Sequence, residues 1–204
     1  MEVLVPFAAA VLSLRLAAEL VRRYRWRRAP ELLAWAASLA CFAAASGALA
    51  WGAAAGWDDR VFRVYYLFGG LLTAALLGAG SLLRASVRGA APVALVYAGL
   101  ALGIALAMPI QPAVTGMEIP DASEHLELVP GRLVALAGNL LGTLAAVGVA
   151  LAGMRRRPLG NALVIAGVVA AAVGSAAAGL GAGGGSLFTA LAAGLLYAGF
   201  VSPR

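Results

Sequence analysis

The chain has 204 residues, of which 63% are hydrophobic and 12% are charged, and its mean hydropathy is +0.93. A soluble domain is about half apolar and about a quarter charged, so this composition leaves too little polar surface to cover a water-facing globule. It excludes a soluble enzyme and a disordered or collagen-like chain. The composition predicts an integral membrane protein.

All fifteen basic residues are arginine, and there is one cysteine and one histidine. The lack of lysine excludes chemistry that needs a Schiff-base lysine. No ATP-binding or zinc-protease motif is present, and we expect no catalytic site, metal site or cofactor. The arginines flank apolar stretches, so we expect them to contact anionic lipid headgroups and not nucleic acid.

A membrane-spanning helix needs about 20 predominantly apolar residues, and continuous apolar runs favour helices over a barrel. The chain contains seven such runs, which predicts an all-α bundle of seven transmembrane helices in a single domain, residues 1–204. The predicted spans are 3–21, 32–55, 62–83, 90–109, 131–153, 159–179 and 187–201. An outer loop at 110–130 separates the fourth and fifth spans.

The arginines are distributed asymmetrically over the predicted loops. Five lie within 22–28, two at 84 and 88, three at 155–157 and one at Arg204, and all eleven fall on one side of a seven-span topology. The other side carries three arginines and most of the acidic residues: Glu2, Asp58, Asp59, Glu118, Asp121, Glu124 and Glu127. The positive-inside rule therefore places the N-terminus outside and the C-terminus inside.

Spans 1–3 and 5–7 share a pattern. An arginine-proline segment at 27–30 opens an alanine-rich stretch that contains Ser46, and the segment at 155–158 opens a similar stretch that contains Ser175. One explanation is a pair of parallel three-helix repeats joined by helix 4, a plan known among transporters. The other is the chance similarity of two stretches rich in alanine and glycine.

Charged and aromatic side chains cluster at the outer end of the third span, which we call its mouth. Arg60 and Arg63 are three residues apart and so share a helical face, which Tyr66 continues, with Tyr65 beside it. One interpretation is a ligand-binding site, in which Arg63 holds an anion and the tyrosines line an apolar pocket. The alternative is an interfacial belt of aromatic and charged residues.

The polar residues inside the predicted spans include a charged pair and an asparagine. Arg15 and Glu19 are one helical turn apart in the first span, where they form either a self-neutralised pair near the inner interface or a gate that contacts substrate. Asn139 lies deep in the fifth span, where its amide needs an interhelical partner. We predict that it binds the helices together.

Small residues recur four positions apart, as in Gly138 and Gly142, and allow helices to approach closely. We expect such faces to pack helices tightly inside the bundle, and the second interpretation is a contact in a homo-oligomer. In the outer loop, Asp121–Glu124 fits a capping box and predicts a short helix, which Leu126 and Leu128 would hold on the membrane surface.

Two functions are consistent with these features. The first is a transporter or binder, not driven by ATP, for a small molecule that is weakly polar or anionic. The second is a sensory or scaffold module that acts through partner proteins without catalysis. In either case we expect a multi-pass protein of a prokaryotic plasma membrane.

Overall fold

The structure is a computed structural model that describes residues 3–179 and 185–201. Glu2, Arg204 and residues 180–184 lie outside the described residues, as does the side chain of Ser175. The described residues form helices and no strand, which confirms the all-α class. The helices are α1 (Leu4–Arg27), α2 (Pro30–Ala55), α3 (Asp59–Arg84), α4 (Ala90–Ala107), α5 (Ala122–His125), α6 (Leu133–Ala152), α7 (Pro158–Gly179) and α8 (Gly185–Val201).

Among the described residues, five helical stretches are long and apolar enough to cross a membrane. They are α1, α2, α3, α4 and α6 together with the turn before it, Leu128–Ala152. These helices are those of a multi-pass membrane protein. The described apolar parts of α7 and α8 are shorter, at Pro158–Gly174 and Ala190–Gly199, so the count of seven spans stays a prediction.

The helix ends follow from local chemistry. Arg28 ends α1 in a left-handed conformation (φ 52°), and its backbone N–H donates to the Tyr24 carbonyl. Pro30 begins α2 in the first turn, where a helix does not need the missing N–H. Asp58 caps α3 by accepting the backbone N–H of Val61 at 2.8 Å.

The helices α1, α2, α3, α6, α7 and α8 contact one another in that order, and α8 packs back against α1 to close the ring. The remaining long helix, α4, lies outside the ring against α3. The bundle has two chemically different ends. The acidic end carries the loops at 56–58 and 108–132, and the arginine-rich end carries those at 28–29, 85–89 and 153–157.

Two glycines allow α3 and α6 to cross in close contact. A Cβ added at Gly78 would lie 2.5 Å from the Cα of Gly142, and one added at Gly142 would collide with the Ala74 carbonyl. One turn earlier, Gly138 leaves room for the Tyr97 hydroxyl. The two small residues of α6 therefore serve packing inside the bundle, and the homo-oligomer stays a prediction.

The middle of α3, Tyr66–Leu72, is π-helical. Side chains of three neighbouring helices donate to the carbonyls of this region and of the residue that follows it. Ser38 bonds the Thr73 oxygen (2.7 Å), Tyr97 bonds that of Leu71 (2.8 Å), and Asn139 bonds that of Gly70 (2.8 Å). Side-chain donors compensate for irregular helix geometry where water is absent. Asn139 thus has the interhelical partner that the sequence indicates it needs.

Candidate functional site

The four predicted ligand-binding residues lie in the first turns of α3, at the acidic end. The Arg63 guanidinium donates to two backbone oxygens at the end of α4, those of Ala105 and Met108, the latter at 3.0 Å. The last carbonyls of a helix lack intrahelical donors, and a cation there also interacts favourably with the helix dipole. Arg63 therefore fixes the end of α4 against α3.

The other three residues face different surroundings. Tyr65 packs edge-to-face on Trp57 with ring centroids 5.4 Å apart. Tyr66 is buried beside Phe62, with ring centroids 5.9 Å apart, and Arg60 is exposed. The two cavities described below are lined by other residues. A ligand site at the mouth of α3 stays a prediction.

The loop between α4 and α6 covers this end of the bundle. Val114 and Gly116 of the loop form hydrogen bonds with residues at the start of α3 or just before it. The backbone N–H of Val114 donates to the Asp59 carboxylate at 2.8 Å, and the backbone N–H of Trp57 donates to the Gly116 oxygen at 2.7 Å. Val114 is itself buried. The loop is folded onto the mouth of α3.

The short helix α5 holds the second half of this loop. Asp121 caps it by accepting the backbone N–H of Ser123 at 2.7 Å, and this bond lowers the pKa of the Asp121 carboxyl. The His125 ring packs against Phe62 with centroids 5.8 Å apart. Leu126 is buried in the core and does not lie on a membrane surface, because the loop turns inward here.

At the arginine-rich end, a cavity of about 510 Å³ opens between α2, α3, α6, α7 and α8. We call it the arginine cavity. Its lining includes Trp35 of α2, Ser81 and Arg84 of α3, Arg156 and Arg157 of the loop before α7, and Asn161 of α7. Leu77 and Ala146, which belong to a buried apolar cluster, also line it.

The described lining of the arginine cavity contains three arginines and no acidic side chain. The Arg84 guanidinium carbon lies 5.8 Å from the centre of the Trp35 ring, within cation–π distance. Arg157 donates to the Gly199 carbonyl at 3.5 Å, while Arg156 is exposed. The cavity is therefore electropositive, and it suits an anion.

Two glycines make room for polar side chains in the cavity wall. A Cβ added at Gly80 would lie 2.6 Å from Nε1 of Trp35, so the indole packs directly on the α3 backbone. A Cβ added at Gly153 would lie 2.8 Å from Nδ2 of Asn161. The wall thus depends on small residues of α3 and of the turn after α6.

A second opening of about 480 Å³ lies between α1 and α8. We call it the α1–α8 groove. Its lining consists of Arg15, Ala18, Glu19, Arg22, Arg23 and Tyr197. Glu19 pairs with Arg22 at 2.5 Å and with Arg23 at 2.9 Å.

These contacts correct the predicted ion pair between Arg15 and Glu19. The reason is positional, because a glutamate pairs best with a basic residue three or four positions after it in a helix, and Arg15 precedes Glu19. Arg15 and Glu19 still line one groove, and a role as a gate stays a prediction.

Sequence reasoning did not identify Trp35, Arg84 and Arg156 as site residues. The tryptophan resembles an interfacial belt residue, and the arginines resemble loop charges that set topology. The available signal was the clustering of arginines in two short loops, 84–88 and 155–157, that lie at the same end. Which of them faces a cavity depends on tertiary packing.

The chain matches no known protein family, no curated protein and no solved structure. Among the described residues, no three His, Cys, Asp or Glu side chains come together as a metal site. The two openings at the arginine-rich end bring charged and polar side chains together around an accessible space.

Proposed function

We propose that this membrane protein binds a small organic anion in the arginine cavity and carries it across the bilayer without ATP. The observation that supports the proposal is an opening of about 510 Å³ with three arginines, a tryptophan and no described acidic residue in its lining. Small-molecule sites have volumes of roughly 300–1,000 Å³ and combine apolar walls with a few polar groups.

The lining favours a carboxylate or phosphate group attached to a compact apolar body. The planar guanidinium groups of Arg84 and Arg156 match the two oxygens of such an anion. Each charge-assisted hydrogen bond contributes about 1.5–3 kcal/mol. Trp35 and Leu77 supply an apolar wall for the rest of the molecule, and Asn161 adds a donor and an acceptor.

The proposal includes a membrane orientation. Seven spans with the N-terminus outside put the arginine-rich end on the cytoplasmic side, as the positive-inside rule requires. The arginine cavity then opens to the cytoplasm, while the folded loop between α4 and α6 covers the outer side. This arrangement corresponds to the inward-facing state of a carrier.

The transport part of the proposal rests on the order of helix contacts. The contact between α3 and α6 has its counterpart in the contact between α8 and α1, with α4 as a separate connecting helix. This is the pattern expected of two parallel three-helix repeats about an axis along the membrane normal. In such carriers, rocking of one repeat against the other exposes the same site to either side.

Binding of carboxylates and phosphate monoesters to the purified protein tests the proposal. Benzoate, phenyl phosphate and succinate are suitable probes, with affinity measured by calorimetry in detergent. We expect at least one to bind, and its affinity to fall about tenfold or more in Arg84→Gln and in Arg156→Gln, because each loses a charge-assisted bond.

The chain provides matched controls for both variants. Arg88 and Arg155 are exposed arginines close in sequence to Arg84 and Arg156, and they do not line the cavity. Arg88→Gln and Arg155→Gln should retain the affinity of the unmodified protein. Equal losses in all four variants, or no binding of any probe, would contradict the proposal and favour a scaffold role. Uptake of the bound probe into proteoliposomes separates a carrier from a binder.

A further inference from the structure

The α1–α8 groove is separate from the arginine cavity and is built mainly from one face of α1. Arg15, Ala18, Glu19 and Arg22 occupy positions i, i+3, i+4 and i+7, which share a face of a helix. Tyr197 of α8 forms the opposite wall. Three arginines and one glutamate give the described lining a formal charge of +2.

The glutamate leaves one of these arginines without an acidic partner. Both Glu19 oxygens are engaged, one with Arg22 and the other with Arg23. Arg15 forms no salt bridge with any described residue, although it lies within the apolar stretch of α1. The groove therefore contains a guanidinium that lacks a counter-charge among the residues that the structure describes.

The missing counter-charge matters because of the position of Arg15 along α1. About 10 Å of helix separates Arg15 from Arg22. Cα–Cβ bonds tilt towards the helix N-terminus, so the Arg15 side chain starts in the direction away from the arginine-rich surface. A charge at such depth is costly in a bilayer unless an anion or water neutralises it. A ligand that enters the groove from the membrane meets this requirement.

We propose that the α1–α8 groove binds the phosphate group of an anionic membrane lipid. Arg15 and Arg22 both line the groove and have guanidinium groups that can bind phosphate oxygens, and Tyr197 adds a hydroxyl-bearing side chain to the lining. On the same side of α1, one turn before Arg15, Val11 and Leu12 are 50% and 40% exposed. They provide an apolar path for the acyl chains towards the middle of the bilayer.

Lipid retention tests this assignment. The protein is reconstituted in equal parts of phosphatidylcholine and phosphatidylglycerol and released into detergent, and bound lipid is counted by native mass spectrometry. We expect the unmodified protein to retain phosphatidylglycerol over phosphatidylcholine. Arg15→Gln should reduce that retention about tenfold or more, since it removes charge-assisted hydrogen bonds to the phosphate.

Two further variants make the result specific. Arg25 is an exposed arginine of α1 outside the groove, and Arg25→Gln should retain lipid as the unmodified protein does. Glu19→Gln makes the lining more positive and should increase retention, so the proposal remains testable if Arg15→Gln fails to fold. Equal retention by the unmodified protein and all three variants would overturn it.

A final comparison distinguishes lipid from soluble phosphate, which offers the same oxygens. Inorganic phosphate is added to the lipid-loaded protein at increasing concentration. We expect phosphatidylglycerol to stay bound, because its chains also contact the apolar path. Release of the lipid at stoichiometric phosphate would overturn the lipid assignment. The arginine cavity uses none of these residues, so failure here leaves the proposed anion site untouched.

Discussion

At the acidic end of the bundle, Asp59 and Arg63 are both bound to backbone groups, whereas at the arginine-rich end Arg84 and Arg156 line an open cavity. The difference comes from the connecting segments. The acidic end has a long loop whose backbone reaches the charged side chains, while the turns at 85–89 and 153–157 are too short to cover the opening. A charged residue in a predicted membrane protein thus becomes available to a ligand only where no neighbouring chain segment satisfies it.

The largest effect should come from Leu126, which anchors the folded loop in the core of the acidic end. Leu126→Ala should lower the free energy of unfolding by about 2–5 kcal/mol, because it leaves a cavity among buried side chains. Its neighbour Leu128 is exposed, so Leu128→Ala should change stability by less than about 0.5 kcal/mol. Denaturant unfolding in detergent measures both, and similar values would mean that the loop is not part of the core.

Replacing Arg63 tests whether this residue stabilises the fold or binds a ligand at the acidic end. Arg63→Gln should lower the free energy of unfolding by about 1.5–3 kcal/mol, since the carbonyls at the end of α4 lose a charged donor. The exposed Arg60 is the control, and Arg60→Gln should leave stability nearly unchanged. A loss of anion affinity in Arg63→Gln without a loss of stability would restore the mouth of α3 as the ligand site.

Two asparagines sharpen the comparison further. Asn139 bonds the irregular part of α3, so Asn139→Leu should cost about 0.6 kcal/mol of stability and leave anion affinity unchanged. Asn161 lines the arginine cavity, so Asn161→Leu should reduce anion affinity instead. Calorimetry and thermal unfolding of both variants measure the two effects. A loss of anion affinity in Asn139→Leu, with unchanged affinity in Asn161→Leu, would contradict this division of roles.

The smallest effect concerns pH at the acidic end. The Ser123 N–H lowers the pKa of Asp121 in the folded protein, so this carboxylate stabilises the loop above its unfolded pKa, and the contribution is lost as the pH falls through the folded value. Asp121→Asn keeps a good helix cap without a titrating group. The unmodified protein should lose slightly more thermal stability than this variant as the pH falls below about 4, the ordinary range of an aspartate. Parallel curves would show that the cap does not depend on charge.

Local signals in the sequence were sufficient for the helices and for the cap of α5. Apolar runs fix the approximate extent of a buried helix, and a capping box involves residues that are close along the chain. The partner of Arg63 lies more than 40 residues away at the end of α4, and no local sequence pattern indicates that contact. The sequence therefore placed the four residues at one end of a helix, while their function as a ligand site stays a prediction.

The arginine cavity could not be predicted for the same physical reason. Its lining comes from five helices and two connecting loops, and it depends on contacts such as Trp35 on Gly80. Loop arginines fit the positive-inside pattern whether or not they face a cavity. Sequence patterns identify the charge of this end but not the space between the helices.

Side-specific labelling tests the central claim, that the arginine cavity is an anion site open only at the arginine-rich end. Val149, which lines the cavity, and Ser123, which is exposed in the folded loop, are each replaced by cysteine in a Cys41→Ala background. A membrane-impermeant maleimide should label Val149→Cys from the cytoplasmic side only and Ser123→Cys from the outer side only. A bound carboxylate or phosphate probe should protect Val149→Cys. Labelling of Val149→Cys from the outer side, or no protection by a probe that binds, would contradict the account.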